Sequence, residues 1–169
     1  TDFIFDGEKG NYLETDVPNP ISVYGESKLQ GEKNILRKWI PALICRTSVL
    51  YGWPDADQHD NFFSWAYKSL QQQKHLSIID GQITTPTLVD DLVDFLYFRR
   101  KFKSQEILHT AGPQAVSRFE FIYDLCEIFN FPIDLIKKVD SFPQKAARPP
   151  DSSLCTLKLQ TIYPNSFHS

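Results

Sequence analysis

Short apolar runs with the brevity of strands alternate along this chain with longer stretches of helical periodicity, and that alternation limits the fold more than any other feature. Ala42-Leu43-Ile44-Cys45 is continuously apolar, as strands buried on both faces of a parallel sheet are. Leu76 to Ile79 and Glu106 to Thr110 read as further short strands, and Thr1 to Phe5 as another, closed by the Asp6-Gly7 turn. Helical patterns lie between them. One runs from Val23 to Trp39 and is ended by Pro41; a second runs through Phe62 to Leu70 with Asn61 as its cap. A third spans Thr87 to Phe102, with Leu88, Leu92, Phe95, Leu96 and Phe102 inward and Asp90, Asp91 and Asp94 outward. A fourth, Arg118 to Phe129, opens on a capping box of Ser117 and Glu120. From Pro132 the chain reads as irregular, apart from a short helix from Leu154 to Ile162. Strand, helix and strand in alternation predict the α/β class.

Composition narrows the function classes. A 41% hydrophobic and 14% aromatic chain is too rich to be disordered. Eighteen basic residues against 21 acidic ones leave a net charge of -3, which gives no electrostatic hold on nucleic acid or on an anionic membrane. No apolar run approaches the ~20 residues that span a bilayer. Cys45, Cys126 and Cys155 are odd in number, widely spaced and set in apolar stretches, so they read as core residues of a cytoplasmic protein rather than as nucleophiles or disulfides. His59, His75, His109 and His168 lack zinc-ligand spacing, and no metal is expected. The seven glycines form neither a Gly-x-Gly-x-x-Gly turn nor a phosphate loop. With no methionine, and with an opening that reads as mid-strand, the sequence is expected to be part of a longer protein.

Tyr24-Gly25-Glu26-Ser27-Lys28 sets a tyrosine and a lysine four apart on a helix, projecting from one face. An ammonium beside a phenol favours the phenolate and draws the tyrosine down from its ~10 reference towards working pH. A phenol tuned in this way can give a proton to a carbonyl oxygen or take it back. The bare pattern is common by chance and ordinarily marks only a helix surface. Arg148, between alanine and two prolines, has the planar guanidinium that suits a nucleotide diphosphate or a buried carboxylate, and both readings stay open.

The surrounding motifs give the pair its context. Thr1-Asp2-Phe3-Ile4-Phe5-Asp6-Gly7, the loop Tyr12-Leu13-Glu14-Thr15-Asp16 and Tyr24-Gly25-Glu26-Ser27-Lys28-Leu29-Gln30-Gly31-Glu32 follow one another along the chain. Arg46-Thr47-Ser48 with Tyr51-Gly52 comes next, then Thr85-Pro86-Thr87 with Asp90-Asp91-Leu92, and finally Arg148-Pro149 with Ser152 and Leu154. In this order and over nearly the whole chain, the sequence resembles the extended short-chain dehydrogenase/reductases, and within them the branch containing dTDP-4-dehydrorhamnose reductase.

The resemblance implies the C-terminal portion of a Rossmann-like, doubly wound parallel sheet with a smaller α/β substrate-binding lobe. Residues 1–52 and about 84–104 would complete the dinucleotide-binding domain; about 53–83 and 105–169 would form the lobe. It implies reduction of a nucleotide-linked 4-keto-6-deoxy sugar by NADPH or NADH. Tyr24 would be the proton donor, Lys28 would hold the nicotinamide ribose, and Thr1 would orient the substrate carbonyl. Arg46, Thr47 and Ser48 would pass near the cofactor, while Asp2, Val49 and Arg148 would face the substrate. Val49 stands where relatives often carry a tryptophan, and Phe3 where they carry a tyrosine. The implied partner is a nucleotide sugar, with no nucleic acid and no membrane, and a homodimer is compatible with it. A related protein is the regulatory subunit of methionine adenosyltransferase, so a non-catalytic role is the alternative. A third reading is that this stretch alone is inactive: without a glycine-rich turn it is expected to bind neither cofactor tightly.

Overall fold

A computed structural model describes residues 1–55, 57–101, 103–140, 146–164 and 167–168. The chain begins with a 3-10 turn at Asp2–Ile4, followed by helix α1 (Val23–Leu36), strands β1 (Ala42–Arg46) and β2 (Leu50–Tyr51), and helix α2 (Phe62–Gln71). Strands β3 (Leu76–Ile79), β4 (Ile83–Thr84) and β5 (Thr87–Leu88) lead into α3 (Val89–Phe98), β6 (Gln105–His109), β7 (Val116–Ser117) and α4 (Arg118–Phe129). A second 3-10 turn at Ile133–Leu135, strand β8 (Ile136–Val139) and α5 (Leu157–Ile162) complete the order.

The strands associate in pairs. β1 lies parallel to β6 with Ile44 opposite Ile107, β2 parallel to β5, and β3 parallel to β8 with Ile78 opposite Lys138. Among the described residues only β4 and β7 run antiparallel. Parallel neighbours cannot be joined by a hairpin, so each pair needs a long crossover, and helices α2, α3 and α4 lie within those connections. The α/β class expected from the alternation is the class observed. The β1–β6 pairing joins residues 105–109 to the elements of the N-terminal stretch.

Three apolar clusters hold these elements. Ala66 and Leu70 of α2 pack with Ile122 and Leu125 of α4 over Ile78 and Ile136 of the β3–β8 pair. Ile4, Phe5, Tyr12 and Leu29 enclose a second cluster with Ala111 and Leu154. Phe95 of α3, Leu108 of β6 and Leu159 of α5 form the third. Among the described residues no helix is long and apolar enough to cross a membrane, and the three cysteines carry free thiols.

Several local expectations are corrected. Thr1 to Phe5 is not a strand: the Thr1 hydroxyl accepts from the Phe3 amide and the Asp2 carbonyl from the Phe5 amide, which curls the segment into a 3-10 turn. The helix expected from Thr87 begins at Val89, because Thr87 and Leu88 are claimed by β2. Asp91 turns inward rather than outward, and its carboxylate takes the His168 amide at 2.7 Å and faces the ring Nδ1 at 2.8 Å. Leu96 is 44% exposed instead of buried. Phe102 lies outside the described residues. The stretch after Pro132, read as irregular, contains β8, and the last helix starts at Leu157.

Candidate active site

Ser22 fixes where α1 begins: its hydroxyl caps the helix by accepting from the Gly25 amide at 3.1 Å. Tyr24 therefore falls in the first turn and Lys28 one turn later. The Tyr24 ring meets Phe3 edge-on at 5.9 Å, and the Lys28 ammonium lies 5.4 Å from the centre of the Tyr24 ring. Tyr24 remains 52% exposed, so its phenol is open to a ligand. An open cavity of about 430 Å³ is lined by Thr1, Asp2, Tyr24, Lys28, Thr47, Ser48, Val49 and Leu50. Seven of the residues singled out from the sequence thus share one cavity.

The opposite wall comes from the end of β1. The Asp2 amide donates to the Thr47 carbonyl at 3.1 Å, which draws the N-terminal turn onto this wall. Asp2 itself is buried, and its carboxylate accepts from the Ser48 hydroxyl at 2.9 Å, the Ser152 hydroxyl at 2.7 Å and the Thr1 hydroxyl at 3.2 Å. It works as a junction of three hydroxyls more than as a free carboxylate.

Two expected site residues lie elsewhere. Arg46 does not line the cavity; its guanidinium is held by Glu32, at 2.8 Å from Nη2 to Oε2 and 3.1 Å from Nε to Oε1. Its Nη1 faces the ring Nε2 of His109 at 3.4 Å. Burial pushes His109 down to about 4; the carboxylate of Glu14 opposes that shift and the Arg46 charge adds to it. The ring is therefore neutral at ordinary pH.

Arg148 lines a second cavity of about 320 Å³, with Phe62, Trp65, Gln82 and Arg118 among its other walls. The Arg118 guanidinium stands 4.9 Å over the Phe62 ring, and its Nε is buried without a hydrogen-bond partner. Burial and the neighbouring Arg148 charge push Arg118 below its ordinary value, while Asp2 opposes them. Two guanidiniums beside two aromatic faces make a place for an anion attached to a planar ring. Sequence reasoning missed Arg118, because its place next to the Ser117 cap identified it only as a first-turn helix residue. Its signal was the second arginine at 148, which only the fold brings alongside.

Together the first cavity offers a phenol, an ammonium and hydroxyls around an open space, a set able to donate a proton to a carbonyl oxygen and to hydrogen-bond a sugar ring. Among the described residues no group of three or more His, Cys, Asp or Glu side chains could hold a metal ion.

Comparison with known proteins agrees with this architecture. The profile of the RmlD substrate binding domain matches residues 1–168. The bovine (Bos taurus) methionine adenosyltransferase 2 subunit beta is 27% identical over 171 residues, covering 96% of this chain and 50% of its own length. Among solved structures, a hypothetical dTDP-4-dehydrorhamnose reductase from Sulfolobus tokodaii is 36% identical and superposes with a TM-score of 0.82, covering 99% of this chain and 58% of that one. The dTDP-4-dehydrorhamnose reductase of Bacillus anthracis, solved in complex with NADP, is 27% identical with a TM-score of 0.85, covering 99% and 59%. The chain thus spans about half the length of the curated relatives it matches.

Proposed function

The chain belongs to the RmlD substrate binding domain family and has its Rossmann-like α/β fold, and from that premise we propose that the full-length protein is a nicotinamide-dependent reductase of a nucleotide-linked 4-keto-6-deoxy sugar. The observation that carries this reading is the convergence of Tyr24, Lys28 and Thr1 on one open cavity. Tyr24 gives its phenolic proton to the C4 carbonyl oxygen of the sugar. Thr1 turns its hydroxyl proton from the Asp2 carboxylate to the same oxygen and fixes its direction. Lys28 holds the nicotinamide ribose with its ammonium, while Thr47 and Ser48 form the facing wall and Val49 borders the sugar. When bound, NADPH or NADH supplies the hydride. The donors present suit the ribose end of the cofactor, and Lys28 has no carboxylate partner among the described ion pairs to compete for it.

Arg118 and Arg148 are assigned to the diphosphate of the substrate, with Phe62 and Trp65 against its base. Asp2 lines the first cavity, and its charge also acts on Arg118 in the second. A cytoplasmic location fits the three free thiols.

The similarity to the bovine methionine adenosyltransferase 2 subunit beta supports a second reading, a non-catalytic regulatory subunit that keeps the same cavity. The test is to follow NADPH and NADH oxidation by the full-length protein with dTDP-4-dehydrorhamnose. Turnover establishes the reductase. Cofactor binding without turnover, together with association with a methionine adenosyltransferase catalytic subunit, selects the second reading.

A further inference from the structure

Tyr24, Lys28 and Glu32 follow one another at four-residue intervals along α1 and so share one stripe of the helix. The first two line the open cavity, and the third turns into the protein. Glu32 is 8% exposed and Arg46, which it meets, only 2%. The contact is a fork: Nε reaches Oε1 at 3.1 Å and Oε2 at 3.3 Å, and Nη2 reaches Oε2 at 2.8 Å. The remaining Nη1 points at the Glu14 carbonyl at 3.5 Å and at His109 Nε2 at 3.4 Å, and the guanidinium lies 5.5 Å from the centre of the Phe5 ring. Arg46 is the last residue of β1, and the next two residues, Thr47 and Ser48, are the facing wall of the cavity. The ion pair therefore links the two walls from behind.

A buried ion pair adds little stability compared with an apolar pair of the same shape, since desolvating both charges offsets their attraction. What a bidentate pair does supply is direction, because two parallel hydrogen bonds fix distance and angle together. We infer that Glu32 is a positioning residue: through Arg46 it sets the rotation and height of α1 against β1, and with them the separation of Tyr24 and Lys28 from Thr47 and Ser48. This inference rests on the reductase reading given above. Arg46 is then not a cofactor ligand but the anchor through which Glu32 acts.

The experiment compares four variants of the full-length protein: Glu32→Gln, the double variant Glu32→Leu/Arg46→Met, Lys28→Ala and Tyr24→Phe. The apolar double variant is expected to melt close to the parent, yet to lose ~10–100-fold in kcat with KM for the sugar within ~2-fold, because small misplacements of reacting groups are costly while substrate binding elsewhere is untouched. Glu32→Gln keeps the shape and is expected to lose ~10-fold in kcat with the same unchanged KM. A double variant that folds and turns over at the parent rate overturns the inference; if it does not fold, a parent-like kcat for Glu32→Gln does so alone. Normal turnover by Tyr24→Phe would instead remove Tyr24 as the proton donor, and absence of turnover in the parent would remove the reductase reading itself. Positioning is then read from NADPH titration, where Glu32→Gln should weaken binding in the same direction as Lys28→Ala, and unchanged affinity overturns it.

Discussion

The α-carbon of Gly25 lies so close to the carbonyl oxygen of Phe3 that a methyl group at position 25 would overlap it. This contact seats the first turn of α1 on the N-terminal turn and brings Tyr24 beside Thr1. Replacing Gly25 by alanine should cost ~2 kcal/mol, because backbone must shift to admit the methyl, and lower Tm by ~4–8 °C. Gly31, on the same helix, has nothing near its absent side chain. Gly31→Ala should be neutral or stabilising by ~0.5–1 kcal/mol. Thermal melts of the two variants check the pair, and equal effects would count against the seating.

Tyr24→Phe in the full-length protein is expected to lower turnover by ~10²–10⁴-fold, the usual loss when a general acid is removed, with cofactor affinity nearly unchanged. Lys28→Ala should damage both. Steady-state kinetics beside fluorescence titration of NADPH separate these outcomes. Full activity in Tyr24→Phe would take the proton-donor role away from Tyr24.

His109 should make the fold sensitive to mild acid. Burial holds its folded value at about 4, below the ordinary 6.5, with Glu14 opposing and Arg46 assisting. As pH falls the unfolded chain therefore takes up the proton first. Stability is intact above 6.5 and is lost progressively down to about 4, by on the order of 2–3 kcal/mol. Urea unfolding of the parent and of His109→Gln, compared at about pH 7.5 and about pH 5, measures this. The variant should lose less stability on acidification, and parallel losses would show that His109 is not the group responsible.

Arg118→Met and Arg148→Met should each weaken inhibition by a nucleoside diphosphate by ~10-fold or more, as expected when one hydrogen bond to a charged group is lost. Each should leave NADPH binding as it was. Competition kinetics with dTDP give the number, and an Arg118→Met protein inhibited like the parent would move the diphosphate away from the second cavity.

The parts legible in the sequence were those set by local rules. The Asn61 cap and the Ser117–Glu120 capping box place the starts of α2 and α4 because each needs only residues three apart. The Ala42–Arg46 strand was visible because its first four residues form a continuous apolar run. What escaped was decided by distant partners. β8 carries Lys137 and Lys138 and has no strand pattern of its own; β3 supplies the ladder that makes it one. Asp91 is polar by type yet buried, since His168 supplies its hydrogen bonds. The cavity followed the same division. Tyr24 and Lys28 could be paired by spacing, whereas the Glu32 side chain that meets Arg46, and the Arg118 that shares a cavity with Arg148, follow no local pattern.

Ser152 donates to Asp2 across 150 positions of sequence, and the Cys155 and Asp151 amides donate to the Tyr12 and Gly7 carbonyls nearby. A cavity whose first wall is translated at the start of this stretch and whose carboxylate is completed near its end cannot mature as it is made. At ribosomal speeds of ~5–20 residues per second, Asp2 waits roughly 8–30 s for the last of its three hydroxyl partners to be made. Closing such distant contacts is also intrinsically slow, since chain entropy is lost before the contacts return anything. Throughout that interval Ile4 and Phe5, which the finished fold buries completely, are open to solvent. Slowing translation across residues 3–151 is therefore expected to lower the yield of folded chain, because it lengthens the time these side chains stay uncovered.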